Sequence, residues 1–324
     1  MKTRRLGRTG YEVSEIGLGC WQLGGEFGPL GDDMANAILD HALNAGISFW
    51  DTADVYGGGR SESRIGAHAK GPLVHVATKV GRAGSLFPNR YSKQGLRESL
   101  LGSAKRLGVA TLDLAQLHCV PGEVLREGRI FGWMDELRDE GLVRHWGASV
   151  ETIEEALFCL EQPGCATLQI IFNLFRQDAA TQLLPRAAER DVGIIVRLPL
   201  ASGLLSGKYD KNTRFDETDH RNYNRDGAAF SVGETFSGIR FERGVELVQE
   251  LKGLAPESMT LSQFALRWIL DHPEVSTVIA GVSRPEQIAD NVAASEHKSL
   301  FPALMKQLGE WYEQEVKPEI RGGI

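Results

Sequence analysis

LVHVATKVGRAGSLFPNRYSKQGLRESLLGSAKRLGVATLDLAQLH (73–118) is the stretch that decides the fold. It opens on an apolar run, LVHVATKV (73–80), and closes on another, TLDLAQLH (111–118). Between them, Ser92 precedes Leu96, Leu100, Ala104 and Leu107, which share one face of an amphipathic helix. Two strands joined by a helix are parallel, because the crossover returns the chain to the end of the sheet where it began.

The same alternation continues outward on both sides. Upstream, EIGLG (15–19) reads as a strand, and Asp32 or Asp33 opens a helix through Ile38, Ala42 and Ala45 that Gly46 ends. SFWDT (48–52) follows, with a helix begun at Ser61. Downstream come a helix near 126–140, RHWGAS (144–149), and a helix capped around Thr152 and stopped before Pro163-Gly164. TLQIIF (167–172), a helix near 181–190, GIIVRLPL (193–200) and VSTVIAG (275–281) complete eight runs. Eight closes a (β/α)8 TIM barrel; a doubly wound open sheet is the alternative. RRL and EVS flank the turn sequence GRTG, which adds a short N-terminal β-hairpin. Helices at 243–254, 260–271, 284–294 and 301–315 include two beyond the eightfold repeat. No linker or change of composition interrupts the chain, so 1–324 reads as one α/β domain. The polar segment 201–240 exceeds an ordinary loop and reads as a functional flap.

Composition excludes several classes. Lys and Arg number 36 against 43 Asp and Glu, a formal charge of −7, with no block of five like charges. No nucleic acid and no anionic membrane surface is expected as a partner. No run approaches the ~20 apolar residues of a membrane span, and MKTRRLGRTG leads into YEVSEIG rather than the apolar core of a signal peptide. Cys20, Cys119, Cys159 and Cys165 form no CxxC pair, so the expected setting is reduced and cytoplasmic. His41, His68, His75, His145, His220, His272 and His297 are scattered, and no metal is expected.

In a parallel barrel, reactive groups belong where strands end. Asp51 ends the second run and Tyr56 follows five residues later; Lys79 ends the third run and His118 the fourth. Each alone is an ordinary cap or snorkelling side chain; together they form a coherent proton-transfer set. A tyrosine of ordinary pKa, about 10, is a poor acid at neutral pH. A neighbouring ammonium lowers that pKa, a carboxylate fixes the ammonium, and an imidazole orients a carbonyl.

These residues sit in motifs that resemble the aldo-keto reductases: IGLGCWQLGG, DTADVYGGGRSE, VATKVGR, LDLAQLH, WGAS, LASGLLSGKY and GVSRPEQIADN. The resemblance implies a barrel that transfers hydride between NADP(H) and a small-molecule carbonyl or alcohol. It implies Tyr56 as general acid or base, Lys79 and Asp51 as its tuners, and His118 as the group that positions the carbonyl.

GLGCWQ (17–22) lacks the third glycine of a Rossmann fingerprint, and the glycines at 57–59 lack the Lys-Ser/Thr of a phosphate loop. A turn that aims Tyr56 is the reading kept for 57–59. GVSRPEQIADN (281–291) is the stronger site. Ser283 with Glu286 matches a capping box and Pro285 suits a first turn, so a helix N-terminus faces the barrel mouth. Arg284 offers a fork for a 2′-phosphate, and Gln287 and Asn291 share a face toward an adenine. By resemblance, Gly281, Ser283, Arg284, Gln287 and Asn291 hold the adenosine end, favouring NADP(H) over NAD(H). Ser149 and Gln169 match the family's carboxamide-holding positions, although Val150 stands where Asn is usual. Arg197 replaces an aromatic that stacks on the nicotinamide; it either stacks in its place or faces substrate.

Trp21 and Phe87 are expected pocket walls. Tyr209, Tyr223, Phe230 and Phe236 in the flap suit a sugar-like or hydroxylated substrate, a homo-oligomer contact or a cofactor clamp alike. Two rival functions remain at this stage. One is a barrel hydrolase using Asp51 with Asp54 or Glu62; the other is a regulatory subunit like the family's potassium-channel β relatives.

Overall fold

The computed structural model describes residues 1–68 and 74–324; Leu73, which opens the run read at 73–80, lies outside them. β1 (Thr3–Arg5) and β2 (Glu12–Ser14) pair antiparallel as the expected hairpin. The barrel strands are β3 (Ile16–Gly19), β4 (Phe49–Asp51), β5 (His75–Val80), β6 (Leu112–His118), β7 (Val143–Ser149), β8 (Cys165–Ile171), β9 (Gly193–Arg197) and β10 (Val275–Gly281). Each pairs in parallel with the next, and β10 closes on β3 with Val278 opposite Ile16. Closure excludes the open sheet.

Strand alternation explains why the barrel is apolar at one end and polar at the other. Side chains two apart share a face. Phe49, Ala77, Leu114, Ile195 and Ile279 point into the lumen and pack with Leu6 and Val13 of the hairpin, plugging the N-terminal end. Tyr11 stacks on His75 at the same end, ring centroids 3.9 Å apart. Two residues further along the same strands stand Asp51, Lys79, Gln116, Arg197 and Gly281. The alternation that buries the plug therefore aims these groups into the C-terminal mouth.

The helices are α1 (Asp32–Asn44), α2 (Arg60–Ala67), α3 (Lys93–Leu107), α4 (Gly122–Glu127), α5 (Arg129–Asp139), α6 (Ile153–Leu160), α7 (Ala179–Gln182), α8 (Leu184–Glu189), α9 (His220–Tyr223), α10 (Phe241–Lys252), α11 (Leu261–Leu270), α12 (Glu286–Ala293) and α13 (Pro302–Trp311). α10 and α13, with the one-turn α9 of the 201–240 segment, are the helices that the repeat does not need. Ser92 caps α3 by accepting from the Gly95 N–H, and its Leu96, Leu100, Ala104 and Leu107 face is buried. Thr152 and Glu155 form a reciprocal capping box on α6.

Three local expectations need correction. The helix near 126–140 is two, α4 and α5, divided at Gly128 with φ +78°. The helix near 181–190 is also two, α7 and α8, and Pro185 near the start of α8 cannot donate back across the break. The Ser283–Glu286 capping box does not form. Pro285 takes the N-cap position, so Glu286 is the first helical residue rather than the third. Gln287 reaches back instead, its Oε1 accepting from the Ser283 and Arg284 N–H groups at 2.8 and 3.1 Å.

The 201–240 segment folds over the C-terminal mouth as linked turns: Ala201–Ser206, α9, Val232–Glu234 and Phe236–Gly238. Buried Asn224 staples it, donating to Thr235 Oγ1 at 3.0 Å and accepting from the Ala229 and Phe230 N–H groups at 2.9 Å each.

Candidate active site

Three consecutive strands, β4 to β6, and one turn bring the catalytic candidates together. Lys79 and Asp51 are an ion pair through Nζ and Oδ1, both essentially without solvent exposure. The same Nζ donates to the Thr52 carbonyl at 2.9 Å and lies 3.2 Å from the Tyr56 hydroxyl. Asp51 Oδ2 accepts from Gln169 Nε2 at 2.7 Å and Gln116 Nε2 at 3.1 Å. Lys79 stands opposite Gln116, and His118 opposite Ser149, so barrel register assembles the set. Ser149 Oγ donates to Gln169 Oε1 at 3.3 Å. The His118 ring meets Tyr56 edge-on at 5.9 Å, and Trp21 stacks on Tyr56 at 5.7 Å.

Tyr56 owes its aim to Gly57, Gly58 and Gly59, all at positive φ. A Cβ on Gly57 would lie 2.4 Å from the Gly24 carbonyl oxygen. The Gly57 N–H is taken by Glu26 Oε1, as suits an aiming turn.

Electrostatics depart from one expectation. Burial pushes the Tyr56 pKa up to about 12, and the Lys79 ammonium opposes this without reversing it. Tyr56 is thus a neutral proton donor in the protein without cofactor. Burial alone would lower the Lys79 pKa, but Asp51 and Tyr56 hold it above its ordinary value. Burial, with Lys79, Arg82 and Arg197 around it, holds His118 well below the usual imidazole range, against the pull of Glu234. A neutral imidazole still carries one ring N–H, which can donate to a carbonyl oxygen.

From this constellation a cleft of about 410 Å³ runs to the β10–α12 turn. Trp21, Ser149, Gln169, Arg197, Gly281, Ser283, Gln287 and Asn291 line it, beside Asp51, Tyr56 and His118. Arg284 is exposed and is not among the lining residues, although its neighbour Ser283 is. Phe87 is a correction: it is 37% exposed and is not among the lining residues. An aromatic in a long loop carries no signal of which way the loop turns. Flap residues Tyr223 and Phe230 supply the missing wall, with Phe27 from the loop after β3. Arg82, Lys208 and Glu234 also line the cleft. Arg82 and Lys208 belong to the VATKVGR and LASGLLSGKY motifs, a signal available in the sequence; Glu234 had none.

Arg197 does not stand free: Nη2 donates to the Val150 carbonyl at 3.0 Å and Nη1 lies 3.6 Å from Glu234. The hydrolase reading loses its second carboxylate. Asp54 accepts from Ser99 at 2.7 Å, Glu62 is paired with Arg106 at 2.6 Å, and neither lines the cleft. No metal cluster was expected, yet the fold brings Cys119, Glu151 and Glu234 within 4.8 Å of one another. Arg82 and Arg197 are interleaved there as counter-charges.

Behind Trp21, His220 is fully buried against Trp21 and Phe27, ring centroids 4.6 and 4.4 Å away, and neither ring nitrogen has a hydrogen-bond partner. Burial pushes its pKa down to about 4. The unfolded chain protonates this imidazole near pH 6.5 and the folded chain does not, so acid through that window favours unfolding. His220→Phe is expected to gain stability relative to wild type by up to about 1.4 kcal/mol per pH unit below 6.5. Urea unfolding at stepped pH measures this; parallel curves for the two proteins would contradict it.

Comparison with known proteins completes the picture. The family model described as "Aldo/keto reductase family" matches residues 15–313. The chain belongs to this family. Among curated relatives of this aldo-keto reductase, a probable voltage-gated potassium channel subunit beta of Oryza sativa is 31% identical, with 91% of each chain covered. An aldo-keto reductase of Schizosaccharomyces pombe whose name specifies NADP(+) is 28% identical, covering 95% of this chain and 90% of that one. Among solved structures, the glycerol dehydrogenase of Gluconobacter oxydans superposes with TM-score 0.79 at 27% identity, covering 100% and 98% of the two chains. No helix among the described residues is long and apolar enough to cross a membrane.

Proposed function

We propose that this aldo-keto reductase is an NADP(H)-dependent, cytoplasmic oxidoreductase that reduces aldehydes or ketones to alcohols, or runs the reverse, on sugar-like or hydroxylated substrates. The observation that carries the reading is the Tyr56 hydroxyl, 3.2 Å from a buried, carboxylate-paired ammonium and lining a cleft that continues to Ser283, Gln287 and Asn291 beyond β10. Tyr56 gives its proton to the carbonyl oxygen, Lys79 and Asp51 hold it in place, and His118 orients that oxygen. When bound, the reduced nicotinamide supplies hydride to the carbonyl carbon.

The residues present fit such a cofactor. A Cβ on Gly281 would lie 2.0 Å from Gln22 Nε2, so glycine here leaves the Gln22 amide its place in the cleft. Lys208 and Arg284 have no carboxylate partner among the described residues, and Lys208 is held below its ordinary pKa by burial and by repulsion from Arg221 and Arg284. Crowded cations without counter-charge suit a phosphate. Lys208 joins Ser283, Arg284, Gln287 and Asn291 at the adenosine end, and Ser149 and Gln169 face the nicotinamide.

Removing both cations, in Lys208→Ala with Arg284→Ala, is expected to cut the preference for NADPH over NADH by roughly tenfold to a hundredfold. Catalytic efficiencies with the two cofactors measure this, and an unchanged ratio would remove the phosphate assignment. The function itself is tested by following NADPH absorbance over a panel of aldehydes, ketones and keto-sugars. The potassium-channel relative keeps a second reading in view, a cofactor-binding regulatory subunit. NADPH binding without turnover of any panel member would favour it.

A further inference from the structure

We propose that Arg82 and Arg197 form a carboxylate-binding pair in the wall of the substrate end of the cleft, and that Glu234 of the flap occupies it from within the chain. This internal occupant makes Glu234 the residue that restricts the site to uncharged carbonyl substrates. The inference deepens the proposed function and rests on it for the identity of the reaction.

Three segments remote in sequence meet here. Arg82 follows β5, Arg197 ends β9, and Glu234 lies in the Val232–Glu234 turn. Glu234 Oε1 accepts from Arg82 Nη1 at 2.9 Å, lies 3.6 Å from Arg197 Nη1, and accepts from the Cys119 thiol at 3.5 Å. Arg197 Nη2 is tied to the Val150 carbonyl, and its buried Nε has no partner. Glu151 stands behind, 3.9 Å from Arg82 Nη2. Arg82, Arg197 and Glu234 line the same cleft as Tyr56 and His118.

Two largely buried guanidiniums converging on one point need an anion between them. A planar fork matches a carboxylate in particular. Burial would raise the Glu234 pKa, but Arg197 and Arg82 outweigh it and hold the carboxyl well below the usual range, so the occupant is charged. A substrate bearing its own carboxylate meets a filled site and a like charge. A substrate hydroxyl meets an acceptor.

Glu234→Ala empties the pair without touching the proton donor. Acetate or formate at tens of millimolar is expected to raise the melting temperature of the variant above that in chloride of equal ionic strength, and to leave wild type unmoved. In the same variant, kcat/KM for succinic semialdehyde relative to glyceraldehyde is expected to rise at least about tenfold. Glu234→Gln keeps the side-chain shape if the alanine variant folds poorly. It should shift the substrate ratio in the same direction, and Glu151→Gln in that background prevents the second carboxylate from moving in. No specific stabilisation by acetate, with an unchanged substrate ratio, would overturn the proposal. Stabilisation with an unchanged ratio would make the pair structural and overturn the selectivity. Failure of both wild type and variant to consume NADPH would count against the proposed function, while the acetate arm would still decide the carboxylate site.

Discussion

Tyr56→Phe is expected to lower kcat for carbonyl reduction by about 10²–10⁴, the range a single general acid contributes. Only the hydroxyl is lost. The ring keeps its stack against Trp21 at 5.7 Å, and Lys79 keeps Asp51 and the Thr52 carbonyl as partners. The cleft wall is unchanged, so NADPH affinity, read by fluorescence titration, should stay within a few-fold. A fall in kcat together with a loss of NADPH binding would point to disruption of the cleft rather than loss of a proton donor. The wild-type pH profile carries the matching sign. With the Tyr56 pKa pushed up to about 12, the donor form persists through neutral and mildly alkaline pH, so reduction loses no rate to Tyr56 ionisation there. The reverse reaction needs the deprotonated form and rises with pH. His118, held well below its ordinary pKa, adds no inflection near pH 6.5.

Lys79→Met is expected to cost both turnover and stability. Lys79 and Asp51 are buried together, and removing one member of a buried pair strands the other charge at about 3–5 kcal/mol. For a chain of this size that corresponds to a fall in melting temperature of roughly 5–10 °C. Asp51 would keep only the Gln116 and Gln169 amides, at 3.1 and 2.7 Å. The double variant Asp51→Asn with Lys79→Met removes the stranded charge. It should recover most of the stability and none of the activity, because Tyr56 still lacks its ammonium. Equal instability of the single and double variants, by calorimetry, would show that the pair's charge is not what the fold depends on.

The barrel was legible because its signal is periodic. Apolar runs of strand length recur with helices between them, and within a run the two-residue step from Phe49 to Asp51, or Ala77 to Lys79, marks where lumen turns from plug to site. The catalytic candidates were legible for the same reason: strand ends are fixed by the runs that precede them. What escaped lies in loops and caps. Glu234 reaches Arg82 from 152 residues away, a contact that no local pattern encodes. Phe87 looked like a pocket wall because it is aromatic and near the mouth, but its loop turns it to solvent. Gln287 took the capping role read for Glu286 because the helix starts two positions later than read, with Pro285 at the N-cap. The Tyr56 pKa was misjudged in sign because sequence shows the cation beside the phenol but not the depth of burial around both.

The most direct test of hydride transfer is isotopic. Wild-type protein is given a reducible aldehyde with NADPH carrying two deuteriums at C4, and the alcohol is examined by mass spectrometry and proton NMR. One deuterium on the carbinol carbon of each product molecule is the expected result, with the hydroxyl proton drawn from solvent. Alcohol formed without deuterium at that carbon, or NADPH bound and never consumed, would contradict hydride delivery at the Tyr56 site.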